Sequence, residues 1–429
     1  MLTTLRGSYG RQASGVLFAI ALFALATHFL YFNHFRNHYA PDSASYITPA
    51  FNLIHGNGFT GSDGRPETFR TPGYPLLIVP FLWASKDLGY LIIFQHLLQV
   101  FVAVATAAAA FRIFRSRRQA LIVGILLSID LPTLESADSI LSETFFTITL
   151  AAALWLLWSA SQKPEKPLTG SLFLSGLLAG ASVLIRPISL YFFLPVAVYL
   201  WLIRRRSRLR AVVGFTTAFA FFPLLWAARN YHETGRFTVT SVGGLEMMCC
   251  RAAGVLALDD PGDFNSNLAK RGEELKDAAC ADLKTIYGKD CAEISVVEKS
   301  DFFLPRARSI LMQHPIASLR LAFRGAAVMW LDGGPSTLQG ISGINPHTGI
   351  RLLLFYTAPA LCFAFVGLWT LWKHNRQLCY LSLLTIGYFV VMSSGADSYS
   401  RHRVPIVPLY VILTTAGIGS TQRVYVLES

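Results

Sequence analysis

The chain of 429 residues carries too few charges for a soluble protein of its length. Only 14% of its residues are charged and 53% are hydrophobic, whereas soluble domains carry about 25% charged residues. The net charge of +12 alone would suit nucleic-acid binding, but the basic residues stand in short clusters between apolar runs and no nucleic-acid-binding motif is present. Composition therefore excludes an ordinary soluble enzyme and indicates a membrane protein.

The first element is an apolar run at 14–32. It follows Arg6 and Arg11 and contains the sequence ALA at 24–26, which resembles the cleavage site of a secretory signal peptide. The run continues to Phe32, however, and about 20 apolar residues suffice to cross a bilayer. We therefore predict an uncleaved first span.

Further apolar runs follow along the whole chain, and we predict ten spans, with nine or eleven as close alternatives. The predicted spans are 14–32, 88–111, 119–134, 139–160, 170–185, 188–203, 211–228, 350–372, 377–393 and 404–420. An apolar stretch at 74–85 is short for a crossing and is predicted to be interfacial or re-entrant. The sequence thus predicts an all-α polytopic membrane protein.

Basic clusters set the expected orientation, because cytoplasmic loops are enriched in lysine and arginine. The main clusters lie at 112–118, 204–210 and 373–376. Placing them in the cytoplasm divides the chain into a transmembrane module at 1–230 with a first outer loop at 33–87, an outer insert at 231–348, and C-terminal helices at 349–429. We expect a bacterial cytoplasmic (inner) membrane protein whose site faces the periplasm or exterior.

The predicted insert contains four of the six cysteines, Cys249, Cys250, Cys280 and Cys291. An oxidising exterior permits a disulfide, and Cys280 with Cys291 is the favoured pair because short loops close easily. Four cysteines allow three connectivities, and free thiols stay open as the alternative. The insert is predicted to be mainly helical. Its stretch 318–331 is apolar but has two arginines one turn apart, which predicts a helix lying in the membrane interface.

On this topology, ionisable and polar residues collect at the outer face, where such groups are costly and suggest function. They are Asp42, Arg70, Asp138, Glu143, Arg186, Arg229, Arg401, His402 and Arg403. Each also has a structural interpretation: Asp42 as a helix N-cap, Glu143 as half of a salt bridge, and Arg186 or Arg229 as snorkelling side chains. As a set they suit an anionic lipid head group, since arginines bind phosphate bidentately and a carboxylate can accept a proton from an acceptor hydroxyl.

Four stretches containing these residues resemble the polytopic GT-C glycosyltransferases. They are PDSASYITPAFNLIHGNGF at 41–59, FRTPGYPLLIVPF at 69–81, LSETFFTITLAAAL at 141–154 and ARNYHETGRFTVTSVGG at 228–244. More narrowly, their order and spacing resemble the bacterial branch of glycosyltransferase family 39, which includes protein mannosyltransferases and the lipid A aminoarabinose transferase.

This resemblance implies a GT-C fold and a role for each candidate residue. Asp42 is implied to be the catalytic base or an acceptor-positioning group, and Glu143 to be the second acid, with Asp138 as the competing match. The implied phosphate contacts are Arg70, Arg186, Arg229, Arg401 and Arg403, and the implied substrate contacts are Tyr46, Tyr74, Asp138 and His402. Some members have Lys-Pro-Pro where this chain has TPG at 71–73, and we expect Arg70 to replace that lysine.

The expected reaction is transfer of a sugar from a polyprenyl (undecaprenyl) phosphate donor to a lipid, glycan or protein acceptor, with inversion at the anomeric carbon. No cofactor is predicted with certainty, although a divalent cation shared by Asp42 and Glu143 stays open. We expect membrane lipids and no nucleic acid among the partners. An O-antigen ligase or polymerase and a transporter or flippase for a lipid-linked sugar are the alternatives.

Overall fold

The computed structural model describes residues 2–34, 38–85, 87–162, 170–204, 207–331 and 346–419, with the side chains of 2–13, 346–353 and 355 left out of the description. Within these ranges the chain is helical and contains no β-strand; an isolated bridge joins Thr60 to Pro66. The all-α class predicted from the apolar runs is therefore confirmed.

The N-terminal part of the described chain contains ten α-helices. They are α1 (Leu2–His34), α2 (Ser43–Ile54), α3 (Gly73–Ala84), α4 (Gly89–Phe114), α5 (Arg117–Ser128), α6 (Leu131–Asp138), α7 (Glu143–Ser161), α8 (Gly170–Ile185), α9 (Phe193–Ile203) and α10 (Arg208–Thr234). The insert and C-terminal part follow with α11 (Val242–Leu245), a π-helix (Glu246–Ala252), α12 (Ala253–Ala257), α13 (Phe264–Tyr287), α14 (Val296–Gln313), α15 (Pro315–Leu331), α16 (Pro346–His374), α17 (Arg376–Ser393) and α18 (Val407–Gly419). A 3₁₀ helix at Ser400–Ile406 leads into α18.

Five helices of the described chain are long and apolar enough to cross a bilayer, or six if the bent pair α5–α6 is one span. They are Ser14–His34, Gly89–Phe114, Glu143–Ser161, Arg208–Thr234 and Arg376–Ser393. The chain is therefore a multi-pass membrane protein. Shorter apolar helices include α3 and α8, and the predicted total of ten spans stays a prediction.

The predicted third span, 119–134, is broken in the structure. Helix α5 ends at Ser128, and α6 begins at Leu131 after a bend of 52°. Asp130 causes the restart, because its side chain accepts a hydrogen bond from the Thr133 backbone N–H and so caps α6. Pro132 lies in the first turn, where a missing N–H is tolerated.

Two glycines let helices α16 and α18 approach closely. Gly367 faces the α18 backbone at Leu413, and Gly417 faces the α16 backbone at Phe363. A Cβ atom at either glycine would overlap a carbonyl oxygen of the other helix. Small residues at helix contacts are typical of membrane bundles, and here α18 is buried along almost its whole length.

The insert packs on its own small core and is tied by a disulfide. Met248, Leu283 and Phe303 are buried together with neighbouring apolar side chains. Cys280 and Cys291, at the end of α13 and just beyond it, form a disulfide, whereas Cys249 and Cys250 are free thiols. Together these contacts hold α13 and α14 against the π-helix.

Candidate active site

Two loops interlock at one end of the bundle, which we call the site end: the loop before α2 and the loop before α7. The backbone N–H of Ile140 donates to the carbonyl oxygen of His38 at 2.9 Å, and the Ser43 hydroxyl donates to the carbonyl oxygen of Ile140 at 3.0 Å. These bonds place the starts of α2 and α7 side by side. As a result, Asp42 and Glu143 lie on the same side of the bundle.

Asp42 occupies the N-cap position of α2 but does not cap the helix with its side chain. Its carboxylate instead accepts hydrogen bonds from Arg70 Nη2 at 2.8 Å and from Arg401 Nη2 at 2.9 Å. The side chain is 32% exposed. The Asp42 carboxylate therefore binds two arginines and does not cap α2.

Glu143 is bound to the same set of arginines from the interior. Its side chain is 2% exposed, and its Oε1 atom contacts Arg186 Nη1 and lies 3.9 Å from Arg401 Nε. Arg70, Asp42, Arg401, Glu143 and Arg186 thus alternate in sign, and we call these five residues the ion-pair chain. Among the described residues, Glu143 Oε2 and Arg401 Nε are buried without a hydrogen-bond partner.

Arg70 is fixed by three contacts besides its ion pair. Its Nε donates to the Ser45 hydroxyl at 2.8 Å and its Nη1 to the Tyr46 hydroxyl at 3.2 Å. The guanidinium carbon also lies 4.4 Å from the centre of the Tyr46 ring, a distance typical of a cation–π contact. The arginine is therefore held in one orientation by α2 while 18% of its side chain stays exposed.

Burial and the arginines of the ion-pair chain set the pKa values of Asp42 and His402. Burial alone raises the pKa of the Asp42 carboxyl, but the Arg70 and Arg401 guanidiniums outweigh it and hold the pKa below its usual value. Burial first, and then Arg186 and Arg401, lower the pKa of His402 to about 3, so its imidazole is neutral at pH 7. Three guanidiniums and two carboxylates leave the ion-pair chain with a net charge of +1.

Three of the predicted site residues border the ion-pair chain or lie below it. Tyr46 contacts Arg70 and the Ser142 hydroxyl, at 3.3 Å for the latter. His402 follows Arg401 directly, and its Nδ1 is buried without a partner in the described chain. Tyr74 is fully buried and donates to Gln95 Oε1 at 2.9 Å, so it supports the site from below.

Asp138 belongs to a separate buried network. It accepts a hydrogen bond from His96 Nε2 at 3.1 Å, and His96 Nδ1 lies 2.7 Å from His28 Nδ1. His38 Nδ1 lies 3.4 Å from the second carboxylate oxygen. Between the two candidates for the second acid, Glu143 is the residue that joins the ion-pair chain.

Two of the predicted phosphate-binding arginines have other partners. Arg229 donates to the carbonyl oxygens of Phe59 and Glu67, each at 3.0 Å, and so braces the loop between α2 and α3. Arg403 is almost fully buried, and it donates to Asp130 Oδ1 at 3.2 Å and to the carbonyl oxygen of Trp330 at 2.9 Å. The structure therefore brings Arg70, Arg186 and Arg401 together but not Arg229 or Arg403.

Three residues near the site were missed from the sequence. Glu246, Cys250 and Asp397 each offer one ligand atom, and these atoms lie within 4.8 Å of one another, close enough to share a metal ion. Burial and then the Asp397 carboxylate raise the pKa of Glu246 above its usual value. Asp397 was the sequence signal that could have revealed this cluster, because it stands four residues before Arg401 in an otherwise uncharged loop. Arg401 lies between Asp42 and Glu143, where a shared divalent cation was left open from the sequence.

Comparison with known proteins rests on the fold. No protein-family model matches the chain, and a search of curated proteins finds no match. By structure, 94% of the chain is similar to the archaeal oligosaccharyltransferase AglB from Archaeoglobus fulgidus, solved in complex with an inhibitory peptide and a dolichol-phosphate, with a TM-score of 0.55. The chain has the GT-C fold.

The GT-C fold predicted from the sequence is thereby confirmed. The identity to AglB is 13%, and the chain spans 50% of the length of that protein. At this identity the similarity establishes the GT-C fold, and activity has to be argued from the site. The narrower resemblance to family 39 stays a prediction.

Proposed function

We propose that this GT-C protein is a membrane glycosyltransferase that moves a sugar from a polyprenyl phosphate to an acceptor hydroxyl. The observation that carries the proposal is the ion-pair chain: three partly exposed arginines converge at the site end of a membrane bundle, bound to two carboxylates. Arginines suit a phosphate at a membrane surface because they stay charged and bind it through a planar fork.

The donor phosphate is proposed to bind across Arg70, Arg401 and Arg186. Their side chains are 18%, 28% and 17% exposed, so they are accessible without being fully hydrated. A phosphate monoester leaving group carries nearly two negative charges, which the three guanidiniums stabilise as they develop. Stabilisation of the leaving phosphate in this way removes the need for a strong general acid.

The proposed transfer step is a direct displacement. The acceptor oxygen attacks the anomeric carbon and forms a new C–O bond, while the bond from that carbon to the phosphate oxygen breaks. The electron pair of that bond stays on the polyprenyl phosphate, and the acceptor proton passes to Asp42. Asp42 is assigned as the base because it is the more exposed carboxylate, whereas Glu143 is enclosed and positions Arg186 and Arg401. Attack opposite the leaving group inverts the anomeric centre.

Donor binding should also strengthen the base. In the unliganded site two arginines hold the pKa of Asp42 below its usual value, which makes it a weak proton acceptor. A phosphate that competes for Arg70 and Arg401 removes part of that stabilisation and raises the pKa of Asp42. Proton transfer is most efficient when the pKa of the base approaches the working pH, so the carboxylate becomes competent only after the donor has bound.

The structural neighbour supports the chemical classes involved. AglB was solved with a dolichol-phosphate and a peptide, which is consistent with a lipid phosphate as donor carrier here. We propose a lipid, a glycan or a protein as the acceptor, at the outer face of the cytoplasmic membrane. Orientation rests on the basic clusters at the opposite end of the bundle.

The test is mass spectrometry of lipid-linked sugars and envelope glycans in a strain lacking the protein. We expect a polyprenyl phosphate sugar to accumulate and one glycan modification to disappear. Complementation with Arg70→Gln should leave the defect, whereas Arg236→Gln, an exposed arginine paired with Asp301 in the insert, should restore the modification. Accumulation of a polyprenyl diphosphate oligosaccharide would instead favour a ligase or polymerase, and an unchanged lipid pool would contradict the proposal.

A further inference from the structure

An apolar groove lies in the membrane part of the bundle and extends from near the site end towards the opposite end. It is formed by α4, α7, α17 and α18 and has a volume of about 390 Å³, within the range of about 300–1,000 Å³ typical of ligand pockets. Alanines such as Ala105, Ala109 and Ala152 form much of its wall, with Trp155 and Leu409. Small side chains on facing helices create the concavity.

The polar part of this groove lies far from the site end. Trp155 is twelve residues beyond Glu143 on α7, which corresponds to about 18 Å along the helix. Arg112 lies two residues before the end of α4, at the same level as the tryptophan, because its guanidinium carbon is 5.7 Å from the Trp155 ring centre. No member of the ion-pair chain lines the groove.

Arg112 is the charged residue of the groove lining. Its side chain is exposed, and within the described chain no carboxylate lies within ion-pair distance of it. Arg115 and Arg117 follow, both exposed, at the turn into α5. An apolar groove with exposed guanidiniums at one end complements an amphiphile with a hydrocarbon chain and an anionic head. Basic pockets between membrane helices bind anionic lipid head groups in this way.

We propose that this groove binds an anionic glycerophospholipid, with an acyl chain along the alanine wall and the head-group phosphate at Arg112. The site is distinct from the donor site and does not rest on the proposed function. A polyprenyl tail entering from the ion-pair chain is the competing occupant. It is disfavoured because the charged lining residue is at the other end of the groove.

The test uses native mass spectrometry of the full-length protein in detergent with equal amounts of phosphatidylglycerol and phosphatidylcholine. We expect the parent protein to retain phosphatidylglycerol about fivefold more than phosphatidylcholine, the effect of one basic residue near an anionic lipid. Arg112→Gln should abolish that preference. Arg210→Gln, an exposed arginine at the start of α10 and outside the groove lining, should keep it.

A second measurement reads occupancy at the groove itself. Phosphatidylglycerol brominated on its acyl chains should quench tryptophan fluorescence, and Trp155→Phe should remove part of that quenching. Ala109→Phe fills the groove and should weaken retention of both lipids at an unchanged unfolding temperature. Equal retention of the two lipids by the parent, a preference that survives Arg112→Gln, or displacement of the bound lipid by polyprenyl phosphate would each overturn the proposal.

Discussion

Two arginines in one short helix, Arg401 and Arg403, have opposite environments. Arg401 joins the ion-pair chain with 28% of its side chain exposed, whereas Arg403 is 3% exposed and paired with an equally buried Asp130. In a 3₁₀ helix with three residues per turn, side chains two residues apart point in directions about 120° apart. Arg401 therefore faces the opening at the site end, while Arg403 faces the bundle.

The contrast shows what distinguishes a binding arginine from a structural one here. Arg403 donates to a carboxylate and to a backbone carbonyl and closes the contact between the α5–α6 break, α15 and the 3₁₀ helix. Arg401 bridges two carboxylates at the site end. In the described chain the Nε atom of each of these arginines is buried without a partner, so partial exposure, rather than charge or spare hydrogen-bonding capacity, favours a ligand-binding role for Arg401.

The largest expected effect is on catalysis. Asp42→Asn should lower the rate of transfer about 10²–10⁴-fold, the usual contribution of a general base, because the amide cannot accept the acceptor proton. The measurement is the initial rate of polyprenyl phosphate release in proteoliposomes, with the accumulated donor as substrate. The unfolding temperature should change little, since a third of the side chain is exposed. A fully active Asp42→Asn variant would show that Asp42 only positions the acceptor.

The opposite pattern, a loss of stability with activity retained, is expected for the buried ion pair of Arg403 and Asp130. Arg403→Met should cost about 3–5 kcal/mol of stability, because it leaves the Asp130 charge buried and unpaired. Activity per folded molecule should be retained, and denaturant unfolding in detergent gives the free energy. Arg403→Met combined with Asp130→Asn should recover much of the loss, since asparagine keeps the α6 cap without the charge. Equal instability of the single and double variants would exclude the pair as the cause.

The smallest expected effect concerns His402, the neighbour of both arginines. Its folded-state pKa is about 3, against about 6.5 in an unfolded chain. Between these values the unfolded state binds a proton that the folded state does not, so stability should fall as the pH is lowered from 6.5 towards 3. The slope is at most about 1.4 kcal/mol per pH unit. In thermal unfolding between pH 7.5 and 4.5, His402→Gln should flatten this dependence, and the exposed His232→Gln should not.

Much of this architecture could be predicted because membrane helices leave a strong signal in hydropathy. The apolar runs and the position of Asp42 and Glu143 at the same end of the bundle follow from local sequence, whereas the role of Arg70 stays a prediction. The different environments of Arg401 and Arg403 cannot be read from local sequence. They depend on the orientation of a short 3₁₀ helix and on Asp130, which is distant in the sequence. The break after Ser128 was predictable in principle, since Asp130 and Pro132 form a helix-start signal. Glu246 and Asp397 meet only through the packing of the insert.

The disulfide of the insert has a practical consequence. Cys280 and Cys291 are bonded, and such bonds persist in oxidising compartments and are rare in the cytosol. Cys249 and Cys250, in the same insert, are thiols. The redox state of Cys280 and Cys291 in intact cells therefore records on which side of the membrane the insert, and with it the Asp42 carboxylate, is assembled.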